Sequence, residues 1–600
     1  MQDEKAHEQP HKKSGAGFFR KVSLAAFVLA VLLLHVVFTE TYPLQVSGDG
    51  GAYLEMMAHR DSDLIHASGY PFLIGLPLQI AGWNYQPLDQ TLESGTPYRA
   101  DPGYSNLSFM LFNTDRIMTS SEGIAIKRIQ HTLAFLTTIL AAALVYHYFG
   151  LLACVAILFA YGMDVYMIDD ASTARPEWFQ AFLLVLSLFM VHLGHRGKTN
   201  RTRIAGYLLA AFIFAWCYLT KPIALGLCGF VFLPPLLDKG VRPYRLRLTA
   251  AMVTVSIVTV YLYLSLYHRP STGTMAYSYT IGWVASYSSE SFSPDKRLTP
   301  ETGINTARLL ALYQGIQAKE GNRKIKTHMF RKHVHAVDPN IRRPYREAAA
   351  AIWKMPYDAL VGQVNQGTIP DDPQTAWGYL YYYWGLKETN DLGIEIYKET
   401  ARQYPYLYAK FVGMGLPANL LRDETLPQCH LLTTWRHPET LAAFHMNIAD
   451  IEYENMGNGF IQADFGKNSE IGYGLNRFWL PGMQGISQWV ALRPPSWVKT
   501  FLFFGTAFWA VVALITKKGR RDRMAIVLFV AINLVLYLVL AQAVAEARWH
   551  KEIRTIQPVL TGVACIGLAW LIAGCFPALR GIAAKGRKLG STGDIGTPQT

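Results

Sequence analysis

Charged residues are scarce in this sequence, and their scarcity excludes whole classes of protein. Only 16% of the 600 residues are Asp, Glu, Lys or Arg, whereas 51% are hydrophobic. This composition is too apolar for an ordinary soluble enzyme and too charged for a bundle of membrane helices alone. It indicates a polytopic membrane protein that also carries sizeable loops outside the membrane.

Cysteine is also rare, and metal-binding patterns are weak. Five of the six cysteines fall within apolar stretches, which excludes a disulfide framework and any Cys-x-x-Cys metal site. Asp169 and Asp170 could together chelate Mg²⁺ or Mn²⁺, but His59, His66 and His550 show no ligand spacing. We therefore assign no metal ligands and expect no other cofactor.

Ten apolar stretches are long enough to cross a hydrocarbon core of ~30 Å. They cover residues 20–38, 127–149, 150–168, 177–194, 204–220, 222–237, 248–267, 498–516, 524–545 and 556–577. The first is too long for a removable signal peptide and lacks a small-residue cleavage site, so we expect it to remain as an anchor. A further apolar segment at 69–83 is short for a span, and we place it beside the membrane or as a partly re-entrant element.

Basic residues fix the predicted orientation. The isoelectric point of about 9.2 could suggest a nucleic-acid partner, but the basic residues lie in short segments between the apolar stretches. With a cytoplasmic N-terminus these segments all fall in the cytoplasm, as the positive-inside rule requires, and only the tight turn at 148–150 lacks them. They lie at 12–21, 196–203, 239–247, 517–523 and 580–588. We therefore expect both termini to be cytoplasmic and no nucleic-acid partner.

This topology predicts a mainly α, polytopic helical membrane protein with about ten spans and one large extracytoplasmic, mostly helical domain. The expected parts are a cytoplasmic tail at 1–19, a membrane module at 20–267 with an outer loop at 39–126, the extracytoplasmic domain at 268–497, C-terminal transmembrane helices at 498–577 and a cytoplasmic tail at 578–600.

The stretch SGDGGAY at 47–53 places an acid among three glycines, about ten residues after the first span and on its outer side. The glycines let the backbone turn sharply and let a substrate approach Asp49 closely. The alternative is that Asp49 only caps the helix that follows, because its carboxylate can accept backbone N–H bonds.

Other charged residues gather at the outer ends of the predicted spans. They are Asp169, Asp170, Arg175 and Glu177 after the third span, Lys221 after the fifth, and Glu546, Arg548, His550 and Lys551 after the ninth. Each alone could be a solvated or snorkelling residue. Together they place acids and bases at the surface where a lipid phosphate lies, which suits transfer from a lipid-linked donor.

The order of these elements resembles the GT-C superfamily of polyprenyl-phosphate-sugar-dependent glycosyltransferases. The resemblance is strongest to the bacterial branch similar to protein O-mannosyltransferases and the aminoarabinose transferases of lipid A, and it covers about 47–240 and, more weakly, 540–577. The motifs are SGDGGAY, SGYPFLIGLPL (68–78), a helix ending in Phe-Gly at 149–150, MIDDASTARPEWF (167–179), AWCYLTKPIALG (215–226) and EARWHKEIRTIQP (546–558).

This sequence departs from the family pattern at several points. Lys221 replaces the arginine of a Leu-Thr-Arg-Pro motif, and Trp549 stands where tyrosine is usual. Gly50 stands where many relatives have a second acid. The insertion at about 84–126 is also long, which puts the mode of acceptor handling in question.

The resemblance implies an inverting transfer of a sugar to a lipid, glycan or protein acceptor on the extracytoplasmic face of the bacterial inner membrane. It implies that Asp49 is the general base and that Lys221 and Arg548 bind the donor phosphate. The other substrate-binding residues that we expect are Tyr53, Tyr70, Asp170, Glu177 and His550.

Three alternative functions remain at the level of sequence. A transporter or flippase would predict inverted repeats, spans broken by glycine or proline, and charges at mid-membrane. Here the ionisable residues lie at span ends, and no repeated halves are visible. A polymerase or ligase acting on undecaprenyl-diphosphate-linked glycans shares outer loops with Arg and His, and only the context of Asp49 and the order of the elements argue against it. A scaffold or receptor with an inactive membrane part is disfavoured by the presence of Asp49 and Lys221.

Overall fold

The computed structural model describes most of the membrane part and portions of the outer segments. The described residues are 14–41, parts of 53–82, 121–272, most of 274–320, 356–366, parts of 380–385, 386–421, short stretches between 433 and 464, 496–516, 521–545 and 551–575.

Helices dominate this part of the chain. The longer N-terminal helices are α1 (Ser14–Thr41), α2 (Gly69–Ile80), α3 (Ser121–Phe149), α4 (Leu151–Ile157), α5 (Val165–Asp170), α6 (Pro176–Arg196), α7 (Asn200–Thr220) and α8 (Arg245–Tyr263). Those that follow are α9 (Thr280–Phe292), α10 (Ile304–Glu320), α11 (Tyr357–Gln366), α12 (Leu386–Gln403), α13 (Pro405–Leu421), α14 (Ser496–Ile515), α15 (Arg521–Ala545) and α16 (Lys551–Cys575). Short π, 3-10 and α segments lie at Leu158–Gly162, Pro222–Leu227, Gly229–Phe232, Pro234–Leu237, Lys239–Tyr244, Leu264–His268, Arg269–Thr272, Pro294–Lys296 and Pro300–Thr302.

Eight helical segments in the described chain are long and apolar enough to cross a membrane, and they match eight of the ten predicted stretches. The protein is therefore a mainly α, polytopic membrane protein. The other two predicted spans, 150–168 and 222–237, contain shorter apolar helices instead. Prolines explain part of the second case, because Pro222 and Pro234–Pro235 lack backbone donors and each begin a new helical segment. The break at Cys228 has no proline.

The broken segment at 222–237 nevertheless runs the length of the bundle. Lys221, at the end of α7, contacts Glu177 at the start of α6. Asp238, just past the segment, accepts a hydrogen bond from Tyr207 near the start of α7 at 2.8 Å. It also lies 3.6 Å from Arg203. Because α7 spans the distance between these two clusters, the bundle has a Lys221 end and an Asp238 end.

The α6–α7 hairpin shows how the sequence allows close helix packing. Thr199 caps α7 by accepting the N–H of Thr202, and the Thr202 side chain bonds back to the N–H of Thr199. Farther along, a Cβ on Gly206 would lie 2.6 Å from the Cα of Gly194. The two helices therefore meet backbone to backbone, which only glycine permits at this position.

The described residues between α8 and α14 are mostly helical, with a small sheet. Glu399 on α12 accepts hydrogen bonds from the backbone and side chains of Asn305 and Thr306 at 2.8–3.0 Å, and so caps α10. Strands β1 (Thr433–Thr434), β2 (Glu452–Asn455) and β3 (Ile461–Asp464) form an antiparallel sheet in the order β1-β3-β2. The hydroxyl of Thr500 on α14 donates to the carbonyl of Leu420 at 2.7 Å, so this segment is joined to the membrane helices.

The predicted orientation can be tested with two exposed positions. In a cysteine-free background, Gln403→Cys between α12 and α13 should react with an impermeant maleimide on intact spheroplasts. Lys198→Cys between α6 and α7 should react only after the membrane is permeabilised, because the positive-inside rule predicts that the basic loop that carries it is cytoplasmic. Labelling in the opposite order would show that the topology is inverted.

Candidate active site

Three buried acids between Asp164 and Glu177 each pair with a cation from another helix at the Lys221 end. The segment that carries them includes α5 and leads into α6. The pairs are Asp164 with Lys499 of α14 at 2.9 Å, Asp170 with Arg554 of α16, and Glu177 with Lys221 at 3.1 Å. We call this stretch the acidic segment.

Burial separates these three pairs into two kinds. The three carboxyl side chains are only 1–4% exposed, and the Lys499 side chain is 5% exposed. In the Asp164–Lys499 pair both charges are therefore shielded from water, and each is compensated by the other. The Lys221 side chain is 21% exposed. An ammonium that is both paired and accessible can meet a second anion, which a fully buried one cannot do without rearrangement.

Gln180, one turn after Glu177, connects two of these cations. Its Nε2 donates to the carbonyl of Lys221 at 2.9 Å and to that of Cys217 at 3.3 Å. Its Oε1 accepts from the hydroxyl of Thr555 at 2.8 Å. The side chain of Gln180 therefore joins the end of α7 to the first turns of α16, where Arg554 lies.

Tyr70 lies on the other side of Glu177, within an aromatic cluster. Its ring packs edge-on against those of Tyr53 and Trp178, with centroids 5.5 Å and 6.1 Å away. Its hydroxyl accepts from Nε2 of Gln130 at 2.8 Å. Burial raises the pKa of Tyr70 well above its ordinary value, and the nearby charges of Glu177 and Asp170 raise it further. Tyr70 therefore stays protonated, and because its side chain is completely buried, it can donate its O–H to a substrate oxygen only after the aromatic cluster rearranges.

The Gly-Tyr-Pro element packs directly on the turn that carries Lys221. A Cβ on Gly69 would lie 2.4 Å from the carbonyl oxygen of Leu219, so no larger residue fits. The N–H of Gly69 donates to the hydroxyl of Tyr277 at 3.1 Å, and that hydroxyl donates to the same Leu219 oxygen. The short apolar helix α2 thus serves to fix this turn.

Two histidines connect the acidic segment to α1 and α3. Nδ1 of His35 on α1 lies 3.0 Å from Nδ1 of His131 on α3, and Nε2 of His131 lies 2.9 Å from the hydroxyl of Ser172. Both rings are buried. The segment is therefore anchored to α1 and α3 as well as to α14 and α16.

Five of the predicted site residues lie together in this region: Tyr53, Tyr70, Asp170, Glu177 and Lys221. The others, Asp49, Arg548 and His550, lie outside the described residues.

Sequence reasoning missed Asp164, Lys499, Arg554, Gln130 and Gln180. Arg554 stands in the quoted stretch EARWHKEIRTIQP, but the family motif directs attention to Arg548 instead. Gln130 and Gln180 could have been recognised from the sequence, because each is a polar residue near the end of an apolar helix.

Within the part of the chain that the structure describes, no group of three or more His, Cys, Asp or Glu could hold a metal ion. Asp170, half of the acidic pair considered above, contacts Arg554.

Comparison with protein-family models and with curated proteins gave no match. Among solved structures, the chain is similar to apo ArnT from Cupriavidus metallidurans, with 12% sequence identity and a TM-score of 0.30. The match covers 93% of this chain and 80% of that one. Because the TM-score is low, this likeness carries no argument about function, and the proposed function rests on the residues of the site.

Proposed function

We propose that this protein is a GT-C-type glycosyltransferase that moves a sugar from a polyprenyl-phosphate donor to an acceptor hydroxyl at the Lys221 end of the bundle. The observation that carries the proposal is the Glu177–Lys221 pair, in which a partly accessible cation at the end of a span sits 3.1 Å from a buried acid. We infer that this end faces the extracytoplasmic side of a bacterial inner membrane, because the basic loops lie at the other end.

The proposed reaction needs a base, a sugar site and a phosphate site. Asp49 takes the proton of the acceptor hydroxyl, whose oxygen attacks the anomeric carbon of the sugar. The bond from that carbon to the phosphate oxygen breaks on the opposite face, so the configuration inverts. Lys221 then neutralises the charge on the departing polyprenyl phosphate, and Arg548 and His550 act beside it.

The aromatic cluster fits the sugar-binding role. Tyr53 and Tyr70 would supply aromatic rings and a phenol hydroxyl, and Asp170 and Glu177 would supply carboxylates that accept bonds from sugar hydroxyls. All four side chains are more than nine-tenths buried, so a sugar would reach them only after this region rearranges. The acceptor would be a lipid, glycan or protein that approaches from the outer segments.

A transporter is less well supported by these contacts. Transport sites lie near the bilayer midplane between broken helices. In the described bundle the three buried ion pairs instead lie where helices end, at the Lys221 end. This placement suits a substrate whose head group lies at the membrane surface.

Lys221→Ala should weaken binding of farnesyl phosphate, a short polyprenyl-phosphate probe, by roughly 10–100-fold, since bonds to charged groups are worth about 1.5–3 kcal/mol. Lys221→Arg should largely retain binding because a guanidinium also serves a phosphate. Isothermal titration in detergent measures both affinities.

Lys387→Ala is the matched control, because Lys387 forms an exposed ion pair with Asp391 in the outer segment. It should bind the probe as tightly as the wild type. If Lys221→Ala also binds at wild-type affinity, Lys221 is not the phosphate ligand. Thermal stabilisation by a panel of polyprenyl-phosphate sugars would then identify the donor class independently, since a ligand that binds only the folded state stabilises it.

A further inference from the structure

We propose that Gln180 is a positioning residue that holds Lys221 and Arg554 in register, so that both cations meet one donor phosphate. The inference rests on the proposed function, because it presumes a phosphate at Lys221. It adds Arg554 to Lys221 and Arg548, the cations already proposed for the phosphate, and names the residue that sets the geometry of the Lys221–Arg554 pair.

The contacts of Gln180 support this role. Its side chain is completely buried, and both ends of its amide are used. Nε2 donates to the carbonyl of Lys221 at 2.9 Å, and Oε1 accepts from the hydroxyl of Thr555 at 2.8 Å. The carbonyl of Lys221 also accepts from the N–H of Ala224 at 3.0 Å, so Gln180 adds a tertiary bond to a turn that the backbone already forms.

Each cation is additionally oriented by an acid of the same segment. Glu177, three residues before Gln180, contacts Lys221, and Asp170 contacts Arg554. Arg554 is adjacent to Thr555, so the bond between Thr555 and Gln180 fixes the backbone from which the guanidinium extends. Both cations are thus already oriented without a ligand, which lowers the cost of ordering them when a phosphate binds.

The planar guanidinium of Arg554 and the compact ammonium of Lys221 offer complementary hydrogen-bond donors to one phosphate. The Arg554 side chain is 11% exposed and that of Lys221 is 21% exposed, and the Nε atom of Arg554 is itself buried. Lys221 is therefore the more accessible of the two cations. A displacement of α16 relative to α7 would separate them, and the Gln180 amide opposes that displacement.

The test is a double-mutant cycle with farnesyl phosphate as the probe. Thr555→Val keeps the shape of the side chain but removes the bond to Gln180, and it should weaken probe binding about tenfold. In a Lys221→Ala background the same change should have almost no further effect, because the spacing between the two cations no longer matters once one of them has been removed. Thr555→Ser keeps the hydroxyl and should bind nearly as well as the wild type.

Thr561→Val is the matched control on the same helix. Thr561 is buried, and its hydroxyl has no partner among the described residues, so its loss should leave probe affinity unchanged. Gln180→Met is a second variant that removes both bonds. It should show the same dependence on Lys221 if Thr555→Val does not fold.

The phosphate site at Lys221 and the positioning role of Gln180 can be disproved separately. If Thr555→Val weakens binding equally with and without Lys221, or not at all, the positioning role is wrong, while a loss of affinity in Lys221→Ala still supports the phosphate site. If Lys221→Ala itself binds the probe normally, the proposed phosphate site is wrong, and the positioning role falls with it.

Discussion

Asp49→Asn should give a folded protein that still binds donor but transfers sugar roughly 10²–10⁴-fold more slowly, the usual contribution of a positioned general base. Asparagine has nearly the shape of aspartate and can still cap a helix. It cannot accept the proton of the acceptor hydroxyl at neutral pH. Transfer rate and melting temperature should be measured on the same preparation.

The alternative role of Asp49 as a helix cap predicts a different pattern. Loss of a cap costs about 1 kcal/mol of stability, and asparagine is itself a good cap, so turnover would stay near normal. Asp391→Asn provides the control, since Asp391 is an exposed acid of the outer segment. An active, stable Asp49→Asn protein would transfer the role of base to Asp170 or Glu177.

Those two acids would be poorer bases as they stand. Each is buried against a cation, Arg554 or Lys221, and so already accepts a charged hydrogen bond. To accept a proton from an acceptor hydroxyl, either would have to give up part of this interaction. This is a physical reason to place the base on the glycine-rich stretch instead.

The membrane helices could be predicted from the sequence because each is a local property. A stretch such as Asn200–Thr220 has both the apolar length of a span and a Thr-x-x-Thr cap at its start. The breaks at Pro222 and at Pro234–Pro235 could also be predicted from the local sequence, because proline cannot continue a helix. What the pattern did not predict was that short helices would replace continuous ones there.

The candidate site could be predicted only in part, because its partners are remote in the chain. The positions of Glu177 and Lys221 at span ends follow from hydropathy. The pairing of Asp170 with Arg554 joins residues 384 positions apart, and that of Asp164 with Lys499 joins residues 335 apart. Only packing of α14 and α16 against the acidic segment decides such pairs. A single sequence does not show how these helices pack.

The Asp164–Lys499 pair should dominate the stability of this end of the bundle. Both side chains are at most 5% exposed, and their charged atoms lie 2.9 Å apart. Lys499→Met should lower the free energy of unfolding by about 3–5 kcal/mol, because it leaves the buried charge of Asp164 without its main partner. Titration with SDS in mixed micelles, followed by tryptophan fluorescence, measures the change.

Replacing both partners distinguishes an uncompensated charge from lost packing. Asp164→Leu together with Lys499→Met removes the charges and keeps apolar volume, so it should recover most of the loss, as buried pairs replaced by hydrophobic residues often do. Lys387→Met breaks an ion pair whose side chains are more than half exposed, and it should cost less than about 1 kcal/mol. If the double variant is as unstable as Lys499→Met alone, the stability arises from the shape of these side chains, and the pair itself does not hold the acidic segment in place.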